Sequence, residues 1–272
     1  MRRAPATAKI NLALVVGPAD RDGRHDVTTV LQRVDLCDRI SVSSAKHLAV
    51  SGFPDDTLVR RALTSLGEAV GAEPCWAVRI TKRIPVAAGL GGGSSDAATA
   101  LRLANETLQA PLSDGDLSVL AAQLGADVPF FLAPGPQLGE GDGTRLRALE
   151  LPQDYWVVLV LPEDASKRST GAVYEAFDAR DGADGYERRR ALLLRTLEAV
   201  GRPRDLANLP PNDLASSPLA EELRGLGAFR ADVSGAGPAV YGLFHHRAEA
   251  GVARRRLRSR GRTWLVVPTW YF

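Results

Sequence analysis

The sequence predicts an α+β protein of two domains, and three observations carry that expectation. The chain opens on strand-like runs with no helix between them, and helical spacing begins only near residue 57. A stretch near 133–153 (APGPQLGEGDGTRLRALELPQD), rich in Gly, Pro and charge, precedes the strand YWVVLVLP. Strands and helices then alternate without the even rhythm of a doubly wound sheet. The break is placed near 148–153, giving an N-terminal domain over 1–150 and a smaller C-terminal domain over 151–272.

Residues 8–16 alternate, with Ala8, Ile10, Leu12 and Leu14 on one side and Lys9 and Asn11 on the other, the period-two pattern of a half-buried strand. The turn signal DRDGRHD follows, and strand candidates at about 27–36 and 39–43 complete a β-meander. Leu58, Ala62, Leu66 and Ala69 fall at helical spacing over 57–70, and Trp76, Val78 and Ile80 share one face of a strand over 76–82. After a glycine cluster, Ala98, Leu101, Ala104 and Leu108 predict a helix over about Ser95–Leu108, with Ser94, Ser95 and Asp96 as first-turn and capping residues. A short helix with Leu117, Leu120, Ala121 and Leu124 stops at Gly125. The second domain adds a helix over 186–200, the loop NLPPNDL and a short helix with Leu219, Leu223 and Leu226. It ends on the strand-turn-strand ADVSGAGPAVYGLF, a basic helix and a final strand over 263–272.

With 272 residues, 45% hydrophobic and 24% charged, the chain has room for a substantial core. A formal net charge of +2, with basic residues spread along the chain, gives no reason to expect a nucleic-acid partner. Cys37 and Cys75 stand in unrelated contexts, which fits neither a disulfide framework nor a zinc site and suits a reducing cytoplasm. Lys9 and Asn11 interrupt the apolar run of MRRAPATAKINLALVVG, so it reads as a strand and not as an export signal. No window approaches the ~18 consecutive apolar residues of a membrane span, so a soluble chain without a membrane partner is expected. Monomer and homodimer stay open.

The segment IPVAAGLGGGSSDAATALRLANE is the most informative. Gly89, Gly91, Gly92 and Gly93 let backbone amides approach an anion, and a helix opening at Ser94 and Ser95 adds unsatisfied N–H groups and a positive dipole end. Together with Pro85, Val86, Ala87, Ala88 and Leu90 they form a candidate phosphate site; a plain glycine-rich turn would need fewer glycines. No Gly-Lys-Ser/Thr follows, so it is not a Walker A loop, and the spacing is not that of a dinucleotide fingerprint.

GLGGGSSDAA resembles the second motif of the GHMP kinases, VSGAGPAVYGLF the third, with Ser234, Gly235 and Gly237, and PATAKINL the first. In the order found they cover the chain from end to end. The resemblance implies the two-domain GHMP kinase fold, an N-terminal ATP-binding domain and a smaller C-terminal α/β sandwich with the active site between them. It also implies ATP and Mg2+ as cofactors and a small alcohol as acceptor. Four segments, AKINL, DGRH, LGADVPFFL and NDL, are similar to the branch that phosphorylates a cytidine diphosphate-linked methylerythritol in isoprenoid synthesis.

On the same resemblance Lys9 and Asp127 are the catalytic pair, the carboxylate accepting the hydroxyl proton and the ammonium orienting it. The plainer readings are a solvated strand lysine and a helix N-cap. Asn11, Arg24, His25, Thr170 and Tyr174 match substrate positions, His25 and Tyr174 at a cytosine pocket, against a turn histidine and a core aromatic as the bland alternatives. Ser95 matches a serine near Mg2+, with simple capping as its alternative; Lys82 reads as a strand-end lysine near the phosphates. Arg24 departs from the usual aromatic, and its guanidinium plane can also stack on a base. Thr57, at a position tied to the adenine pocket, and Ala236, in the third motif, depart from the family pattern too. The arginines near 254–262 and over 186–204 read as solvated helix faces. Two rival functions remain: a GHMP kinase for another alcohol, of mevalonate, homoserine or sugar type, and a nonenzymatic binding protein on the same fold.

Overall fold

Residues 1–163 and 169–269 are described in a computed structural model. The chain begins with a long antiparallel hairpin of β1 (Arg2–Ala19) and β2 (His25–Ser44). Asp20 closes its turn, Oδ1 accepting from the amides of Asp22 (2.8 Å) and Arg24 (2.9 Å). The two strands expected over 27–43 are one continuous β2. A register shift where Thr7 faces Cys37 and Ala8 faces Val34 marks a bulge at the place the alternation breaks.

β2 is the spine of the first sheet. β1 runs along one edge; on the other, β4 (Trp76–Thr81) pairs with 39–44 and β5 (Gln137–Gly141) with 27–31. Short β3 (Ala49–Ser51) lies parallel to β4, and β6 (Arg145–Ala148) antiparallel to β5. Helices α1 (Leu58–Ala69), α2 (Gly92–Asn105) and α3 (Asp114–Leu124) bury Leu63, Leu66, Leu101 and Leu124 against Ile40, Val78 and Phe130.

The second sheet has the order β10-β7-β9-β8, all antiparallel: β7 (Trp156–Pro162), β8 (Arg230–Val233), β9 (Val240–Phe244) and β10 (Gly261–Val266). α4 (Thr170–Asp178), α5 (Tyr186–Glu198), α6 (Pro218–Gly225) and α7 (Arg247–Arg256) belong to this half. Val158 and Val160 pack with Leu223 and Ala250, while Val157 and Leu159 face Ile10, Leu12 and Val30. Covering both faces explains the unbroken apolar run of β7.

The same packing corrects the half-buried reading of β1. Its apolar side meets the second sheet and its polar side is also enclosed, so Lys9 and Asn11 are each only 4% exposed. Arg189 and Arg190, read as solvated, are only partly exposed, at 28% and 36%, and are paired. Arg189 donates to Asp213 Oδ2 (3.0 Å) and to the Gly182 carbonyl (2.8 Å), and Arg190 to Glu140 Oε1 (2.7 Å), tying α5 to its neighbours. The arginines of 254–262 do lie at the surface, Arg260 beside Glu222 and Arg262 over Trp264. Of the final strand expected over 263–272, β10 ends at Val266 and 270–272 lie outside the described residues. No helix among the described residues is long and apolar enough to cross a membrane.

Candidate active site

Lys9 is delivered by β1 into a chain of hydrogen bonds that fixes each group's direction. Thr29 Oγ1 donates to the Ala13 carbonyl (2.8 Å) and accepts from Asn11 Nδ2 (2.8 Å). The Asn11 amide oxygen is thereby left for the ammonium, and Lys9 Nζ donates to it at 2.7 Å. Asp127 Oδ2 lies 3.6 Å from the same Nζ, with 39% of the Asp127 side chain open to solvent. A buried cation beside a partly open carboxylate fits a base that a substrate can reach.

Asp127 follows Gly125, the stop of α3, and precedes a 3-10 turn over Pro129–Phe131. That turn starts from Val128 with no side-chain cap, so Asp127 is not an N-cap. Val128 and Phe130 are fully buried and anchor the segment. Arg33 Nη2 holds its far end, donating to the carbonyls of Phe130 (2.8 Å) and Ala133 (2.7 Å).

The glycine loop supplies the adjoining wall, the Lys9 amide donating to the Leu90 carbonyl. α2 begins at Gly92, three residues before the expected Ser95; its N-cap is Gly91 in the left-handed region, φ 68°, so Ser94, Ser95 and Asp96 do not cap it. Its first turn carries no acidic side chain, which leaves the positive end of the helix free for an anion. The loop alternates: Ala87, Gly89, Gly91 and Ser94 line the cavity, whereas Ala88 and Leu90 are buried in the core. The inward carbonyls hold neighbours, Ala88 accepting from the Ala239 amide and Leu90 from the Lys9 amide, both at 3.0 Å. Pro85, Val86, Gly92, Gly93 and Ser95 do not line the cavity. Ser95 is 1% exposed, and its Oγ has no hydrogen-bond partner.

The third glycine motif is the support for Lys9. Ser234 Oγ donates to the Gly89 carbonyl (2.9 Å), joining the two glycine loops. At Gly235, φ 56°, an added Cβ would stand 3.2 Å from Lys9 Nζ and 3.4 Å from Asn11 Oδ1. Asn212 Nδ2 fixes this loop by donating to the carbonyls of Gly235 (2.7 Å) and Val233 (3.0 Å), which gives the NDL segment a physical role.

These parts enclose a cavity of about 800 Å³. Lys9, Asn11, Thr29 and Asp127 line one end with Gly235 and Gly237; Arg24, His25, Thr170 and Tyr174 line it as well. The His25 ring is not a loose turn histidine. Its centroid is 4.7 Å from that of Tyr174 and 5.8 Å from that of Phe177, and Nε2–H donates to Asp178 Oδ1 (2.8 Å). Tyr174 belongs to the cavity wall; burial and the charge of Asp127 push its hydroxyl up to about 12, so the ring stays neutral. Arg24 lies at the cavity with its guanidinium 3.4 Å from Asp22 and mostly exposed. Thr57 is exposed at the start of α1 and does not line the cavity. Lys82 does not line the cavity; its ammonium is placed between Asp38 and Asp96.

Thr29 and the Asp142–Thr144 turn are part of the lining that the sequence reading passed over. The GDGT turn signal could have pointed to the second; nothing local marks Thr29. Among the described residues no group of three His, Cys, Asp or Glu is placed to hold a metal. The buried, unpartnered Ser95 hydroxyl is compatible with Mg2+ held mainly by phosphates and water.

Comparison with known proteins gives the relatives of the chain. The GHMP kinases N terminal domain matches residues 57–135 and the GHMP kinases C terminal domain residues 195–263. The chain is 40% identical over 266 residues to the 4-diphosphocytidyl-2-C-methyl-D-erythritol kinase of Anaeromyxobacter sp. (strain Fw109-5), covering 93% of this chain and 85% of that one. It is 37% identical over 275 residues to the enzyme of the same name from Citrifermentans bemidjiense, covering 96% and 95%. A crystal structure of 4-(cytidine 5'-diphospho)-2C-methyl-D-erythritol kinase superposes with a TM-score of 0.80 at 30% identity, covering 98% of this chain and 99% of that one. A mevalonate kinase at 13% identity and TM-score 0.74 shares the fold. The chain belongs to the GHMP kinase family.

Proposed function

We propose that this chain transfers the γ-phosphoryl group of ATP to the C2 hydroxyl of 4-diphosphocytidyl-2-C-methyl-D-erythritol, giving ADP and the 2-phosphate in non-mevalonate isoprenoid synthesis. The cytoplasm is its proposed place of work, and 1–150 and 151–272 are its proposed domains. The observation that carries the chemistry is the Lys9–Asp127 pair, 3.6 Å apart in a cavity walled by both glycine loops.

Asp127 takes the proton as the substrate O–H bond breaks and the oxygen attacks the γ-phosphorus; the electron pair of the breaking P–O bond leaves with ADP. Lys9, held by Asn11, keeps positive charge beside that carboxylate and orients it. The loop around Gly89 and Gly91, with the first turn of α2, receives the phosphates. Mg2+, when bound, supplies charge neutralisation on the phosphates and would be held mainly by them and by water, with the unpartnered Ser95 hydroxyl, behind the cavity lining, as the candidate protein ligand. Arg24, His25, Thr170 and Tyr174 enclose the cytidine end.

ADP release by the purified protein is the test, with Mg–ATP and a panel of the cytidylyl compound and mevalonate-, homoserine- and sugar-type alcohols. Stimulation by the cytidylyl compound alone is expected. Stimulation by another alcohol only would discard the substrate and keep the kinase, and silence throughout would favour a binding protein. Asp127→Asn should remove most turnover while leaving the melting temperature near wild type; a near-normal rate would rule Asp127 out as the base.

A further inference from the structure

Behind the glycine loop lies a buried ionic triad that the proposed chemistry does not use. Asp38, on β2, is fully buried. Its Oδ1 accepts from the amides of Arg83 and of Ile84 (2.8 Å), and its Oδ2 from Lys82 Nζ. Lys82 Nζ also donates to Asp96 Oδ2 at 2.7 Å, and Asp96, on α2, is 2% exposed. A Cβ on Gly92, the first residue of α2, would stand 3.3 Å from the same Nζ. The triad therefore lies directly beneath the first turn of the helix.

Three segments meet at one ammonium: β2, the end of β4 that enters the loop, and α2, which leaves it. The intervening stretch needs such an anchor, because Ala87 (φ 53°), Gly89 (φ 77°) and Gly91 (φ 68°) all occupy the left-handed region. A non-glycine residue there persists only when its surroundings over-determine it. Two carboxylates on one ammonium also leave Lys82 little charge to offer an anion on the far side of the loop. Lysine is a compact point charge, and here both of its contacts are close and largely shielded from water.

We propose that Lys82, clamped between Asp38 and Asp96, is a positioning residue that ties the two ends of the phosphate loop together and sets its opening for the nucleotide, with no direct role as phosphate counterion. The proposal rests on the reading of residues 85–95 as the ATP site.

A double-mutant cycle of Lys82→Met and Asp96→Ala tests it, with the Michaelis constants of ATP and of the alcohol acceptor measured separately. Each single variant is expected to raise the ATP KM on the order of tenfold, about 1.4 kcal/mol, with the acceptor KM within about twofold of wild type. The double variant should be no worse than the weaker single, because either change cuts the same tie. Asp96→Asn, which keeps a hydrogen-bond acceptor of the same shape for Lys82, should restore most of the ATP affinity. If the alanine variant does not fold, Lys82→Met paired with Asp96→Asn serves instead: a positioning role predicts near-normal ATP binding for the asparagine variant. A raised ATP KM for Lys82→Met with Asp96→Ala unchanged, or strictly additive effects, would overturn the proposal in favour of direct contact. A lowered melting temperature with both Michaelis constants unchanged would reduce the triad to a structural role. Wild-type protein that neither binds nor turns over ATP would refute the site itself, independently of the triad.

Discussion

Gly235→Ala is the perturbation whose consequence follows most directly from the geometry. At φ 56° an alanine is strained in the left-handed region by roughly 1–2 kcal/mol, and its Cβ would press on Lys9 Nζ from 3.2 Å. The ammonium must then yield by a few tenths of an ångström, and Asn11 Oδ1, 3.4 Å from the same Cβ, limits where it can go. A misplacement of about 1 Å at a catalytic group costs on the order of 100-fold, so a shift of a few tenths should lower kcat on the order of tenfold. Gly227→Ala is the matched control: its φ is 99° and a Cβ there meets nothing within 4 Å. Strain alone should lower both melting temperatures by roughly 2–6 °C. The assay is steady-state ADP release at saturating ATP and acceptor, beside thermal melts of wild type and both variants. Full kcat in Gly235→Ala, with the same loss of melting temperature as Gly227→Ala, would show that the third glycine loop does not hold Lys9.

Asn212→Ala removes the two donors that fix Val233 and Gly235 and should lower kcat several-fold with a stability loss of about 1–3 kcal/mol, measured by turnover and urea unfolding. Asp178→Ala frees the His25 ring and should raise the KM of the cytidylyl acceptor several-fold with the ATP KM unchanged; equal changes in both would refute the assignment. For Asp96, burial first and the charge of Asp38 second push the carboxyl up to about 7, above its unfolded value of 3.8. The folded nucleotide-free protein then holds more protons between those values, so this group's contribution to stability is complete below the lower one and is lost as pH rises through the upper one. Asp96→Asn should flatten that fall, whose slope from one group is at most about 1.4 kcal/mol per pH unit, in urea titrations from pH 5 to 8; an unchanged slope would refute it.

The parts of this site that local chemistry dictates were legible in the sequence. The glycines of 89–93, the Asp after Gly125 and the same-side placement of Lys9 and Asn11 are each written within a few neighbouring residues. What was misread depended on distant partners. The polar side of β1 looked solvated because the loop that covers it, Ser234–Gly237, comes from the other end of the chain. β2 looked like two strands because Asp35 and Asp38 interrupt its pattern; Asp35 Oδ1 is used by the amide of Val267 (3.0 Å), and Asp38 by Lys82 and its neighbours. Ser95 and Asp96 are good caps and point to a later start for α2, whereas a left-handed Gly91 takes that position.

The wrapping of β1 also governs when the molecule can exist. Residues 2–19 are made well before the second sheet, yet Leu12 accepts a hydrogen bond from the Tyr241 hydroxyl, 229 residues later, and Asn212 bridges to Leu14. Ile10, Leu12 and Val15 have their burial only when the second sheet arrives. During synthesis the first half thus waits with an apolar strand face uncovered, a surface prone to association. A fragment ending near residue 150 would keep that exposed face permanently. Lys9 is made more than 200 residues before Gly235, the residue that completes its surroundings.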